Sequence, residues 1–62
     1  MLEYVKTILT KVSFDKRLFE KELKKAFNLL MASEIEEFRD WCYRNFSGRY
    51  EPVLNKYFVA YA

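Results

Sequence analysis

The stretch "YEPVLNKYFVAYA", Tyr50 to Ala62, decides the fold. By residue type its end, "YFVAYA", reads as a strand, rich in aromatic and branched side chains. By spacing, Tyr50, Val53, Leu54, Tyr57, Phe58 and Tyr61 recur at steps of three and four, the period of a helix. Pro52 suits a first helical turn, where its missing N–H removes no bond. The rest of the chain settles the choice. Every other apolar segment has helical spacing, so a strand here would have no partner. The spacing therefore predicts a short fourth helix from Glu51 to Ala60.

Working back from there, "SEIE" at Ser33 to Glu36 fits a capping box, a Ser at the N-cap with a Glu three residues later. Glu34, Glu36 and Glu37 would lie in the first turn, where the helix dipole favours negative charge. This third helix is predicted to run to Phe46, with Ile35, Phe38, Trp41, Cys42 and Phe46 on one face. Gly48 is expected to end it in the left-handed conformation. The second helix is predicted over Lys16 to Met31 and is expected to be the central one. Its centre line is Phe19, Leu23, Ala26, Phe27 and Leu30, widened by Leu18, Leu29 and Met31. Ser13 or Asp15 can cap it. With Asp15 as the cap, Phe14 and Phe19 stand where a hydrophobic staple would form. The first helix carries Leu2, Val5, Leu9 and Val12 on its stripe. The predicted core is Leu2, Val5, Leu9, Phe19, Leu23, Phe27, Leu30, Ile35, Phe38, Trp41, Cys42, Phe46, Leu54 and Phe58.

The chain has 62 residues, enough for one small domain spanning 1–62. A core of this size supplies only about 3–5 kcal/mol net, so small proteins usually add a staple or a partner. One Cys cannot form an intrachain disulfide, and without His it makes no zinc site. Twelve aromatic side chains argue against disorder. The net charge of +2 is small but unevenly spread. Met1 to Met31 holds seven Lys/Arg and four Asp/Glu, whereas Ala32 to Ala62 holds four and five, which suggests a dipolar molecule. Glu3, Lys6 and Lys11 interrupt the first segment, so it does not read as a signal peptide, and no run approaches the length of a membrane span. The expected location is cytoplasmic.

Each chemically suggestive group has a plain structural reading. "RDWCYRNF", Arg39 to Phe46, sets the lone Trp beside the lone Cys. A reactive thiolate needs an electropositive, partly exposed setting, and a Cys nucleophile needs a His base. Cys42 instead falls midway between Phe38 and Phe46 and is expected to be buried. Glu36 and Asp40 share a helix face, but neighbours on one exposed helix do not bracket a substrate as acid–base pairs do. Arg17, Lys21, Lys24 and Lys25 form a basic face on the second helix that could contact phosphate, although Glu20 and Glu22 dilute it. Tyr50, Tyr57, Phe58, Val59 and Tyr61 form an aromatic tail of the type enriched at protein interfaces.

The sequence thus predicts an all-α, compact three-helix bundle with a short fourth C-terminal helix. Its expected role is a non-catalytic protein-interaction or structural module, not an enzyme, with no metal and no cofactor. The partner would be a protein, a second copy of the chain being one candidate. The alternative is a small nucleic-acid-associated protein using Arg17, Lys21, Lys24 and Lys25. Association with a membrane is not expected.

Overall fold

The computed structural model describes residues 1–61, with side chains through residue 59. Three helices follow in order: α1 (Leu2–Val12), α2 (Lys16–Leu29) and α3 (Ala32–Tyr61). No strand occurs among the described residues. The fold is an all-helical, compact bundle with a Cα radius of gyration of 10.3 Å.

Short joints make neighbouring helices run back along each other. Ser13 and Phe14 turn the chain after α1. Asp15, in extended backbone, then accepts hydrogen bonds from the N–H groups of Arg17 and Leu18 at 2.9 and 3.2 Å. This is the N-cap expected of an Asp. The staple does not form: Phe19 is fully buried, but Phe14 stays 70% exposed at the tip of the turn. Leu30 ends α2 in extended backbone.

The start of α3 differs from the sequence expectation by two residues. Met31, not Ser33, precedes the first helical residue, and the Glu34 carboxylate accepts the Met31 N–H at 2.9 Å. Glu34 therefore supplies the carboxylate half of a capping box without a Ser to supply the other half.

The decisive feature lies within α3. A straight helix of its 30 residues would be about 45 Å long, yet the molecule's largest extent is 27 Å. The rings of Phe38 and Phe58 lie 5.8 Å apart, although an unbroken helix would separate these residues by about 30 Å. The helix reverses at Tyr50, whose φ of −115° and ψ of 17° are non-helical. Pro52 enforces the break, because its ring opposes the carbonyl of residue 48 and it has no N–H to offer. The expected fourth helix is thus not a separate element. Its residues form the C-terminal limb of α3, folded back on residues 32–49. Gly48 does not end a helix in the left-handed region, since no described residue has positive φ.

The core sits among α1, α2 and both limbs of α3. Leu9, Phe19, Leu23, Phe38, Cys42 and Leu54 are fully enclosed. Leu2, Val5, Leu30, Ile35 and Phe58 are also buried, as expected, joined by Ala26, Tyr50 and Val53. Phe27, Trp41 and Phe46 were expected inside but are only partly covered. Ala26 takes the inward position on α2, and Phe27 lies to one side, 5.1 Å from Phe58 and 6.3 Å from Tyr57 between ring centroids. Trp41, too large for this small core to enclose, packs against Phe38 and Phe46 and carries the Lys6 ammonium 5.7 Å from its ring.

Candidate interaction surface

Cys42 is fully enclosed, and burial pushes its thiol up to about 12, with Lys6 pulling weakly the other way. At neutral pH it is a small apolar side chain packed among aromatics, without thiolate character. Glu36 and Asp40 are exposed, and Asp40 faces Arg39 at 3.4 Å. Among the described residues, no three His, Cys, Asp or Glu side chains converge on a point where an ion could sit.

The C-terminal aromatics mostly turn inward. Tyr50 is buried and donates its hydroxyl to the Ser13 carbonyl at the α1–α2 turn. Phe58 is buried between Phe27 and Phe38. Tyr57 is half-buried and donates to Glu20 Oε2 at 2.8 Å. Of the expected interface set, Val59 alone is shown exposed, at 69%. The Tyr61 side chain lies outside the described residues. The reason is the reversal in α3, which folds this tail onto α2, so its aromatic area is spent on the chain's own core.

The same folding creates a polar cluster that sequence spacing could not reveal. Glu20 on α2 accepts from Lys56 at 2.9 Å and from Tyr57. These bonds hold the Glu20 carboxyl below its ordinary range, with the Lys56 bond the larger cause, and push the Tyr57 hydroxyl up. The pairing draws Glu20 away from the basic face. Arg17, Lys21 and Lys24 are exposed at positions opposite the buried side of α2, and none has an ion pair among the described residues. Lys25 sits beside them and pairs with Glu22 at 3.5 Å. The expected basic stripe therefore exists, and one of the two carboxylates thought to dilute it is engaged elsewhere.

Another surface feature is one the sequence expectation missed. Tyr4 on α1 and Leu29 on α2 are 60% and 48% exposed. They flank a cleft of about 20 Å³, also lined by Ile8, Glu22 and Lys25. That volume holds a single water at most, so the seam is a shallow apolar surface and not a ligand cavity. Leu18 and Phe14 extend the exposed apolar side chains toward the turn. The signal was present in the excess width of the α2 stripe, where Leu18 and Leu29 exceed what one small core can cover.

No helix among the described residues is long and apolar enough to cross a membrane. No protein-family model, curated protein or solved structure matches the chain.

Proposed function

We propose that this chain is a non-catalytic protein-interaction module whose helical bundle presents apolar side chains to a protein partner. The observation that carries this reading is the set Tyr4, Leu18 and Leu29 on α1 and α2, which remain 40–60% exposed beside a filled core. Scattered apolar residues on a surface are ordinary, but neighbours gathered on one side of a helix pair favour a partner. In this reading the C-terminal limb of α3 acts as the fourth helix of the bundle, closing the core so that the α1–α2 side is left free. We place the module in the cytoplasm, where an enclosed lone thiol such as Cys42 is chemically at home.

The test is affinity capture from native lysate with the full chain and with a Tyr4→Lys, Leu29→Lys double variant as control. A protein retained by the first and lost from the second supports the reading. Equal retention by both, or none by either, overturns it.

A second reading follows from the unpaired stripe Arg17, Lys21 and Lys24, with Lys25 beside it: contact with nucleic-acid phosphates. Such binding weakens steeply with salt. Retention on mixed-sequence DNA that Arg17→Glu with Lys21→Glu abolishes would favour it. Retention unchanged by that double variant would exclude this face.

A further inference from the structure

We infer that the end of the bundle around Phe14 binds an unpaired nucleic-acid strand, with one base stacked on the Phe14 ring and the flanking phosphates held by Lys16, Arg17 and Arg49. The inference rests on the nucleic-acid reading and goes further, naming the form of the strand and the groups that grip it.

Chain connectivity and one hydrogen bond gather these groups. Ser13 and Phe14 form the turn between α1 and α2, followed by Asp15 and the first turn of α2 with Lys16 and Arg17. The reversal of α3 lies at the same end, because the Tyr50 hydroxyl donates to the Ser13 carbonyl. Arg49 comes with it, its guanidinium 5.3 Å from the Tyr50 ring. Lys11, in the last turn of α1, approaches this end from the groove beside Trp41. All four cations are exposed, and none has an ion pair among the described residues. Lys16 acts weakly on Glu20, one turn along α2, but that carboxylate is bonded to Lys56 and Tyr57. Two carboxylates share the end. Asp15 is turned to the N–H groups of Arg17 and Leu18, and Glu51 is exposed beside the reversal. Glu34, Glu36 and Glu37 lie at the start of α3, the length of α2 away, about 20 Å. The uneven charge of the sequence thus acquires a direction, with cations in excess at the Phe14 end.

Phe14 decides what binds there. It is 70% exposed, and its ring contacts no other ring among the described residues. A free aromatic face beside unpaired cations suits a single strand, whose bases stack on the ring while the cations hold the backbone. A duplex keeps its base faces inside its own stack and offers the ring nothing. An acidic peptide satisfies the cations without requiring the ring. A flat anionic membrane must meet the whole end at once, which presses the Glu51 carboxylate against its phosphates, and one ring is a small apolar anchor. A strand can pass to one side of Glu51.

The test is fluorescence anisotropy of a labelled oligothymidylate of about eight nucleotides, titrated with the full-length chain across a salt series. The strand should bind at low salt, more tightly than a hairpin duplex of the same length. Each phosphate contact adds about 0.7 to the slope of log affinity against log salt, so Arg17→Gln with Arg49→Gln should flatten that slope by about 1.4. Phe14→Ala should lower the affinity at least about fivefold and leave the slope unchanged. Circular dichroism of each variant confirms that its fold is retained, which the exposure of all three positions favours. Any one of these results overturns the inference: no binding of the strand at low salt, a duplex bound as tightly, an affinity indifferent to Phe14→Ala, a slope indifferent to the arginine pair, or phosphatidylserine vesicles bound in place of the strand. If DNA retention depends on Arg17 and Lys21 while Phe14→Ala changes nothing, the unpaired strand is wrong and the reading of the basic stripe stands.

Discussion

Tyr50 joins the reversal of α3 to the α1–α2 turn, and replacing it tests the fold at its least regular point. Its ring stacks on Phe19 with centroids 4.1 Å apart and planes within 5°. Phe46 approaches edge-on at 6.2 Å, and the Arg49 guanidinium lies 5.3 Å from the ring. The hydroxyl donates to Ser13, 37 residues earlier. Tyr50→Phe keeps the stacking and removes that one donor, a loss of about 0.5–1.5 kcal/mol. In a domain of this size each kcal/mol moves the melting midpoint by about 4–8 °C, so a fall of some degrees is expected. Tyr50→Ala removes the ring as well, at about 3–5 kcal/mol, which matches the whole stability such a core provides. That variant should be largely unfolded at room temperature. Tyr4→Phe is the control: its hydroxyl has no hydrogen bond among the described residues, and it should melt within about 0.5 kcal/mol of the parent. The assay is thermal and urea unfolding followed by far-ultraviolet circular dichroism. If Tyr50→Phe behaves like Tyr4→Phe, the hydroxyl bridge is wrong. If Tyr50→Ala melts cooperatively near the parent, the reversal does not depend on this residue.

Gly48→Ala should stabilise the fold by about 0.5–1 kcal/mol, because a Cβ there meets nothing within 4 Å and no positive φ demands glycine; a lower urea midpoint would contradict this. Cys42 should resist a thiol reagent at neutral pH, reacting only at the rate of global opening. Because its folded value is raised from 9.0 to about 12, its contribution is complete below pH 9 and is lost as pH climbs toward 12, so labelling faster than unfolding at pH 7 would show an open thiol. Glu20 has a lowered folded value, so its contribution is present above its ordinary 4.5 and is lost as pH falls below it. Glu20→Gln should therefore flatten the acid limb of the stability profile, and an unchanged limb would mean the bonds to Lys56 and Tyr57 do not persist in solution.

Periodicity made most of the core readable. Leu2, Val5 and Leu9, or Ile35, Phe38 and Cys42, recur at helical steps, and such residues can be covered only by turning one way. Asp15 was readable as a cap because its carboxylate reaches the N–H groups of its own next turn. Other features depend on what lies across the bundle, which spacing does not encode. The place of Ser33 in a capping box looked right locally, but the extended backbone at Leu30 starts α3 two residues earlier, and Glu34 takes the role. Phe27 gave up its inward place to Ala26, whose small side chain occupies the buried position facing α1. The basic stripe was legible because surface charges need no partner to be where they are. The seam was legible only as surplus: Leu18 and Leu29 widened the α2 stripe beyond the residues assigned to the core.

Among its described residues this polypeptide changes direction three times without one left-handed backbone position. Its path is therefore set by steric fit between side chains and by one imino ring, with no point that only glycine could occupy. Any homologue would be free to replace Gly48, and the trace would hold so long as the shapes meeting at Phe19, Phe38 and Leu54 still nest. Drift in such a protein should erase recognisable letters much sooner than it erases the architecture.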